Sequence, residues 1–422
     1  MPQRRDFLKF AAGALTTTLL GSDSSIGESL GRREPSGSVL PPWKPGILEI
    51  HHIDTGRGNS TVILGPDGTS LLVDAGEAHG AEKLMAPARP DARRAAGEWI
   101  ARYVRRQLDR IGQTALDSML LTHLHGDHVG QVAPSSPPAL RGNYRLTGAS
   151  FVAERIEVHA LIDRGWPDYA YPAVPEDPSA RNYIAFARSM FSRGAKVERA
   201  QAGSLSQLAL RRQPAAYPGF QARILSVNGE VWTGAGEASK PRFPALGGLA
   251  AEAMPSENMC CISVGMQYGK FCYYTGGDLC NDTAYGRYPW HDIETPVAAI
   301  AGPVSVAVAN HHGYFDACGS AMVRSLRPRV WIVPTWHVSH PDISVLANLF
   351  SEELYSGERD VFAAGMAPAA MLTTERFSSR LASSEGHVVV RVEEGGDTFT
   401  VHVVGADDER GEVTASFGPF QA

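Results

Sequence analysis

The sequence predicts an α/β fold in which two sheets carry helices on their outer sides. Apolar runs of strand length recur in both halves of the chain, helical periodicity appears between them, and no internal repeat is visible. Of the 422 residues, 43% are hydrophobic and 20% charged, enough apolar material for a packed core and a composition that excludes general disorder. The 43 glycines and 28 prolines point to long, shaped loops on that scaffold.

The chain opens Arg4-Arg5-Asp6-Phe7-Leu8-Lys9 and continues with a mild apolar run from Phe10 to Leu20. A charged stretch before a short apolar one is the pattern of a secretory signal, and the paired arginines resemble a twin-arginine signal. The run is too short to span a bilayer, and no later stretch reaches about 18 apolar residues. The expected partner in export is the twin-arginine machinery, the expected location is the periplasm or another exported site, and the processed chain is expected not to be an integral membrane protein. Residues 22–45, rich in Ser, Gly, Arg and Pro, read as a linker outside the fold. Residues 1–45 are then signal and linker, and 46–422 the folded domain.

Ile47 to Asp54 and Ser60 to Leu64 are expected strands joined by a turn at Gly56, Gly58 and Asn59. Pro66-Asp67-Gly68 then turns into Ser70-Leu71-Leu72-Val73-Asp74-Ala75-Gly76, a buried strand ending in an acid and a glycine. Asp91 is expected to start a helix with Trp99, Tyr103, Val104, Leu108 and Ile111 on one face. Its arginines (Arg102, Arg105, Arg106, Arg110) occupy the other face and read as solvated. Leu116 to Thr122 is the next buried strand. Further strands are expected at Arg155 to Ile162, Gln221 to Val227, Cys260 to Tyr268, Phe271 to Thr275, Val304 to Ala309 and Val330 to Val333. Helices are expected near Asn182 to Ser192 and Ile343 to Leu354. The connections 165–220 and 233–257, with the aromatics Trp166, Tyr169 and Tyr171 in the first and Trp232 just before the second, read as walls of a site.

The 39 basic and 45 acidic residues leave a net charge of −6, which argues against gripping nucleic acid over the whole surface. No stable nucleic-acid complex is expected. Five cysteines without CxxC spacing fit neither a disulfide framework nor a zinc ribbon, and most are expected to be buried.

The chemistry is concentrated in His123-Leu124-His125-Gly126-Asp127-His128, directly after an apolar strand. His123 and His125 alternate, so an extended loop can aim both at one ion. Gly126 lets the chain bend and turn Asp127 and His128 toward a second position. Mixed imidazole and carboxylate donors suit zinc, and also manganese or iron. A buried acid at Asp278, after two glycines, needs a cation or donors. His52, His79 and His291 lack such context and read as surface or structural residues.

These residues resemble the metallo-β-lactamase superfamily, whose HxHxDH signature stands here as His123-x-His125-x-Asp127-His128. Leu72-Val73-Asp74-Ala75-Gly76, Tyr274-Thr275-Gly276-Gly277-Asp278 and Asn310-His311-His312-Gly313 resemble its later and flanking motifs. The likeness is strongest to the hydrolase domain of competence-type DNA-uptake proteins and their exported relatives. It is carried there by His52-Ile53-Asp54-Thr55-Gly56-Arg57-Gly58-Asn59-Ser60, Ser256-Glu257-Asn258 and His340-Pro341. It implies an αββα four-layer sandwich with long loop insertions, two metal ions at one edge, and Asp278 bridging them.

Two departures accompany the likeness. Asn59 stands where such domains often carry an aspartate. The usual middle histidine is missing; Asp163 or His159 is the candidate in its place, with Asp163 favoured, and an open or water-filled position is the remaining alternative. His311 and His312 cannot both point inward if strand alternation continues, and His311 carries slightly more weight as ligand.

The implied activity is metal-dependent hydrolysis by an activated water, on a phosphodiester or phosphate-ester substrate. Asp127 would be both ligand and proton acceptor. His340 would hold a phosphoryl oxygen or protonate a leaving group. A β-lactam or lactone substrate is the alternative within enzymes, and a non-catalytic, metal-stabilised binding protein of the envelope the alternative outside them.

Overall fold

The computed structural model describes residues 32–422, so the signal-like segment lies outside the described residues. Two sheets face each other. The first has ten strands in the spatial order Arg32–Arg33, Val413–Gln421, Thr398–Val404, His387–Val392, Leu48–His52, Thr61–Leu64, Ser70–Val73, Ala115–Leu120, Glu157–Asp163 and Lys196–Arg199. The second has eight, in the order Ser239–Pro241, Glu230–Trp232, Phe220–Val227, Ser263–Tyr268, Phe271–Thr275, Val306–Val308, Val330–Val333 and Asp360–Ala363. Each sheet is antiparallel in one part and parallel in the other, and the parallel part follows the helical crossovers.

Strand periodicity sorts the core into layers. Val306, Val308, Val330 and Ile332 face Leu48, Ile50, Val73 and Leu120 in the core between the sheets. Their neighbours Ala307, Trp331 and Val333 point the other way, against helices Glu294–Ala301, Ser320–Leu326 and Ile343–Leu349. On the opposite side, Val62, Leu64, Leu72 and Met119 pack under Ile100, Val104 and Leu108 of helix Ala96–Arg110, with Phe186 and Ala187 of helix Pro178–Ser192. The order of layers is therefore helix, sheet, sheet, helix. Among the described residues no helix is long and apolar enough to cross a membrane.

Two expectations are corrected. Residues 32–45 do not stay outside the fold: Arg32 and Arg33 pair with Ser416 and Ala415, and Val39 bridges to Glu412. The C-terminal strand would otherwise expose an open edge, and this segment covers it. The helix expected from Asp91 begins at Ala96, because Asp91 accepts the Arg93 N–H at 2.8 Å in a local turn. Glu77 takes up the helix's free amide at Gly97, 2.8 Å from its Oε2. The strands His387–Val392, Thr398–Val404 and Val413–Gln421 are additions to the sequence reading.

Arginines of helix Ala96–Arg110 are tied to acids: Arg102 to Glu409 at 2.6 Å, Arg106 to the same carboxylate, and Arg110 to Glu49 at 2.6 Å. All five cysteines are free thiols, and four are buried.

Candidate metal centre

Five loops meet at one edge of the paired sheets. Each leaves the carboxyl end of a strand: Ser70–Val73, Ala115–Leu120, Phe271–Thr275, Val306–Val308 and Val330–Val333. Close backbone approach fixes them. Gly76 N–H donates to the Asn59 carbonyl at 2.8 Å, and a Cβ on Gly76 would lie 1.8 Å from the Asp127 carbonyl oxygen. Only glycine fits there.

The loops bring two sets of donor atoms together. Asp127, His128, Asp278 and His312 each offer a ligand atom, all within 4.8 Å of one another. His123, His125 and Asp278 form a second set by the same measure, so Asp278 belongs to both. Its Oδ1 lies 3.0 Å from His128 Nε2 and 3.5 Å from His312 Nε2, while Oδ2 lies 3.6 Å from His123 Nε2.

Outer partners set the tautomers. His128 Nδ1–H donates to Asp74 at 2.7 Å, and His312 Nδ1–H donates to the Pro334 carbonyl at 2.9 Å. Both therefore turn an Nε2 lone pair inward, and the two Nε2 atoms are 3.2 Å apart. His123 Nε2 and His125 Nδ1 likewise stand 3.1 Å apart. Lone pairs at these separations repel unless a proton or a cation lies between them. Asp278 Oδ1 is buried and makes no hydrogen bond of acceptable geometry. Convergent imidazoles and two carboxylates fit divalent cations.

The carboxylates favour positive charge at this point, carried by a proton on His128 when no cation takes its place. Burial opposes charge on His128, but Asp278, Asp74 and Asp127 outweigh it and hold its pKa well above the usual imidazole value. Burial also opposes charge on Asp278, yet His128, His312, His311 and His123 keep its carboxyl well below the usual range. Asp127 is held low against burial by His128 and His312. Burial and the neighbouring His128 push His123 well down.

Asp74 is itself anchored. Its oxygens accept the Thr122 N–H at 2.7 Å, the Thr122 hydroxyl at 2.9 Å and Asn59 Nδ2 at 3.1 Å. The departure at Asn59 thus has a physical basis, because an aspartate there could not donate to Asp74.

His311 and His312 do not follow strand alternation. They lie in a turn after Val306–Val308, at φ 47° and 56°, and both side chains approach Asp278. His312 joins a donor set, which reverses the preference for His311. His311 flanks the sets, with Nε2 3.7 Å from Asp278 Oδ2 and Nδ1 2.6 Å from Asp316 Oδ1. Burial opposes its charge, but Asp278 and Asp316 raise its pKa to about 9. His340 stacks on His312 with ring centroids 5.0 Å apart and planes at 20°, and burial holds its pKa well below the usual value.

Asp163 is a correction. The structure brings it into neither set, because its carboxylate is already used. Oδ1 accepts the Gly165 and Trp166 amides at 2.8 Å each, and Oδ2 accepts the Tyr169 hydroxyl at 2.5 Å and the Tyr183 hydroxyl at 2.8 Å. His159 is no substitute, since its side chain is 56% exposed beside Glu157. Among the described residues no third imidazole joins His123 and His125 in their set. His52, His79 and His291 are structural, bonded to Thr61, Glu77 and the Ala253 carbonyl.

Residues 53–134 match the family model of the metallo-beta-lactamase superfamily. The match is confined to that segment, and the two-sheet α/β architecture agrees with the sandwich fold of that superfamily. The match contains His123 to His128, whereas Asp278 and His312 join the centre only through the tertiary fold. No curated protein matches the chain.

Proposed function

We propose that the protein is an exported binuclear metal-dependent hydrolase, with zinc the first candidate ion and a phosphodiester or phosphate ester the substrate class. One observation carries the metal reading: two donor sets share Asp278. The likeness to competence-type hydrolase domains and their exported relatives supports the substrate class, and Arg4-Arg5 with the apolar run to Leu20 supports twin-arginine export to the periplasm.

Bound divalent ions would supply Lewis acidity toward the scissile ester and make a water molecule acidic enough to ionise near neutral pH. The chain's own residues do the rest. His123, His125 and Asp278 would hold one ion, and Asp127, His128, Asp278 and His312 the other. Asp127 Oδ2, 3.1 Å from His312 Nε2, stands at the inner face, where it can accept a proton. His340, against the His312 ring and kept neutral by burial, can donate a hydrogen bond to a phosphoryl oxygen. His311, fixed by Asp316 through Nδ1, also meets Asn258, whose Nδ2 lies 3.3 Å from His311 Nε2.

Elemental analysis, with hydrolysis of a chromogenic phosphodiester and of a β-lactam, tests the reading. Near two metals per chain, with phosphodiester turnover lost in Asp278→Ala, is expected. No metal and no turnover after reconstitution overturns it and leaves a binding protein. Turnover of the β-lactam alone overturns the substrate class.

A further inference from the structure

The His123/His125 set lacks a third imidazole, yet its two rings converge to 3.1 Å. The peptide between them explains this. The Leu124 side chain is buried in the helix-facing core, and its N–H donates outward to Glu257 Oε1 at 2.8 Å. The same oxygen accepts Arg164 Nε at 2.6 Å, and Arg164 Nη2 grips the other oxygen. Arg164 is itself fixed: its side chain is 1% exposed, and Nη1 donates to the Tyr171 carbonyl at 2.9 Å. Arg164 directly follows strand Glu157–Asp163, so the element expected to supply a ligand supplies a clamp instead.

We propose that Glu257, held by the Arg164 fork, is the positioning residue of the His123/His125 pair. Leu124 is pinned from both sides, by its side chain inward and its amide outward, so the two flanking imidazoles keep one geometry without a third ring to fix the ion. A charged acceptor gripped by a bidentate guanidinium is a strong, directional anchor for one amide. Outer groups that orient ligands in this way commonly change metal affinity about 10–100-fold. The inference rests on the assignment of His123 and His125 as ligands.

The test is competitive metal titration of the full chain, followed by the visible spectrum of the cobalt(II) form. The relevant equivalent is the one abolished by His125→Ala. Removing both charges together, in Arg164→Met with Glu257→Leu, avoids a buried unpaired guanidinium. That double variant is expected to lose affinity for this equivalent by roughly 10–100-fold and to alter its cobalt spectrum, with the other equivalent kept. Arg164→Met with Glu257→Gln, which returns an amide oxygen to Leu124, is expected to recover most of it. Arg164→Lys keeps the charge but loses the fork, and a smaller loss at the same equivalent is expected.

Equal affinities in the two double variants overturn the proposal, as does unchanged affinity in folded Arg164→Lys. Failure of both double variants and of Arg164→Lys to fold also overturns it, because the pair would then serve the fold alone. A wild-type chain that binds no metal fails the ligand assignment itself, a result distinct from these.

Discussion

Asp74 Oδ2 stands 2.7 Å from His128 Nδ1, joining the ends of two neighbouring parallel strands inside the metal centre. The carboxylate receives that N–H while two groups of Thr122 and one of Asn59 hold it in place. Asp74→Asn presents an amide that can donate to Nδ1 and favour the wrong tautomer. Metal affinity and turnover should fall about 10–100-fold with the fold retained. Titration against a chelator, with circular dichroism as the control, measures this; full affinity in the variant would remove Asp74 from the design.

Asp278 belongs to both donor sets, so its removal should differ in kind from removal of His125. Asp278→Ala is expected to weaken both equivalents and to lower turnover by more than about 100-fold. His125→Ala should weaken only one. Stoichiometry after dialysis separates them, and loss of a single equivalent in Asp278→Ala would contradict the shared role.

Asp163→Asn tests the reassignment of that residue. Two amides and two tyrosine hydroxyls converge on the carboxylate, so an NH2 group in its place faces donors. We expect a loss of about 1–3 kcal/mol in stability and an unchanged metal content. Metal loss without destabilisation would restore Asp163 as a ligand.

Gly76→Ala forces a methyl carbon toward a backbone oxygen at 1.8 Å, and no flexible side chain is there to yield. The loops at Asp74 and Asp127 must part. Destabilisation of about 3 kcal/mol or more is expected in urea unfolding, or no soluble protein at all. A wild-type midpoint would show that the two loops are not clamped.

Acid should expose a second buried network. Burial tends to raise the carboxyl of Glu49, but hydrogen bonds and charge from His51 and Arg110 outweigh it and lower it from 4.5 to about 2. A depressed carboxyl stabilises the fold above its unfolded value and loses that contribution as pH falls from about 4.5 to 2. The amount at stake is on the order of 3 kcal/mol. Glu49→Gln should lower stability at pH 7 and flatten the acid limb in that window. An acid limb identical to wild type would assign acid sensitivity to other carboxylates.

Local patterns were legible wherever chemistry depends on neighbours in the chain. Alternation in Val306-Ala307-Val308 and Val330-Trp331-Ile332 marks strands with two apolar faces, and His123 to His128 announces a metal loop before any fold is known. The C-terminal hairpin was equally open to reading, since His387-Val388-Val389-Val390 and Thr398 to Val404 flank Gly395-Gly396. Residues 32–45 were not, because their strand forms only against an edge far away in sequence.

What the sequence alone determined is the two-sheet α/β class and most of the donor residues, because period, turn chemistry and ligand spacing are properties of short segments. Tertiary structure alone decided how the donors divide. It turned both His311 and His312 toward Asp278 through left-handed backbone, and it used up Asp163 on two tyrosines. It also placed Glu257, 133 residues away in the chain, on the amide between His123 and His125. A carboxylate's role depends on which donors reach it first, and that contest is settled only when the loops of both sheets meet.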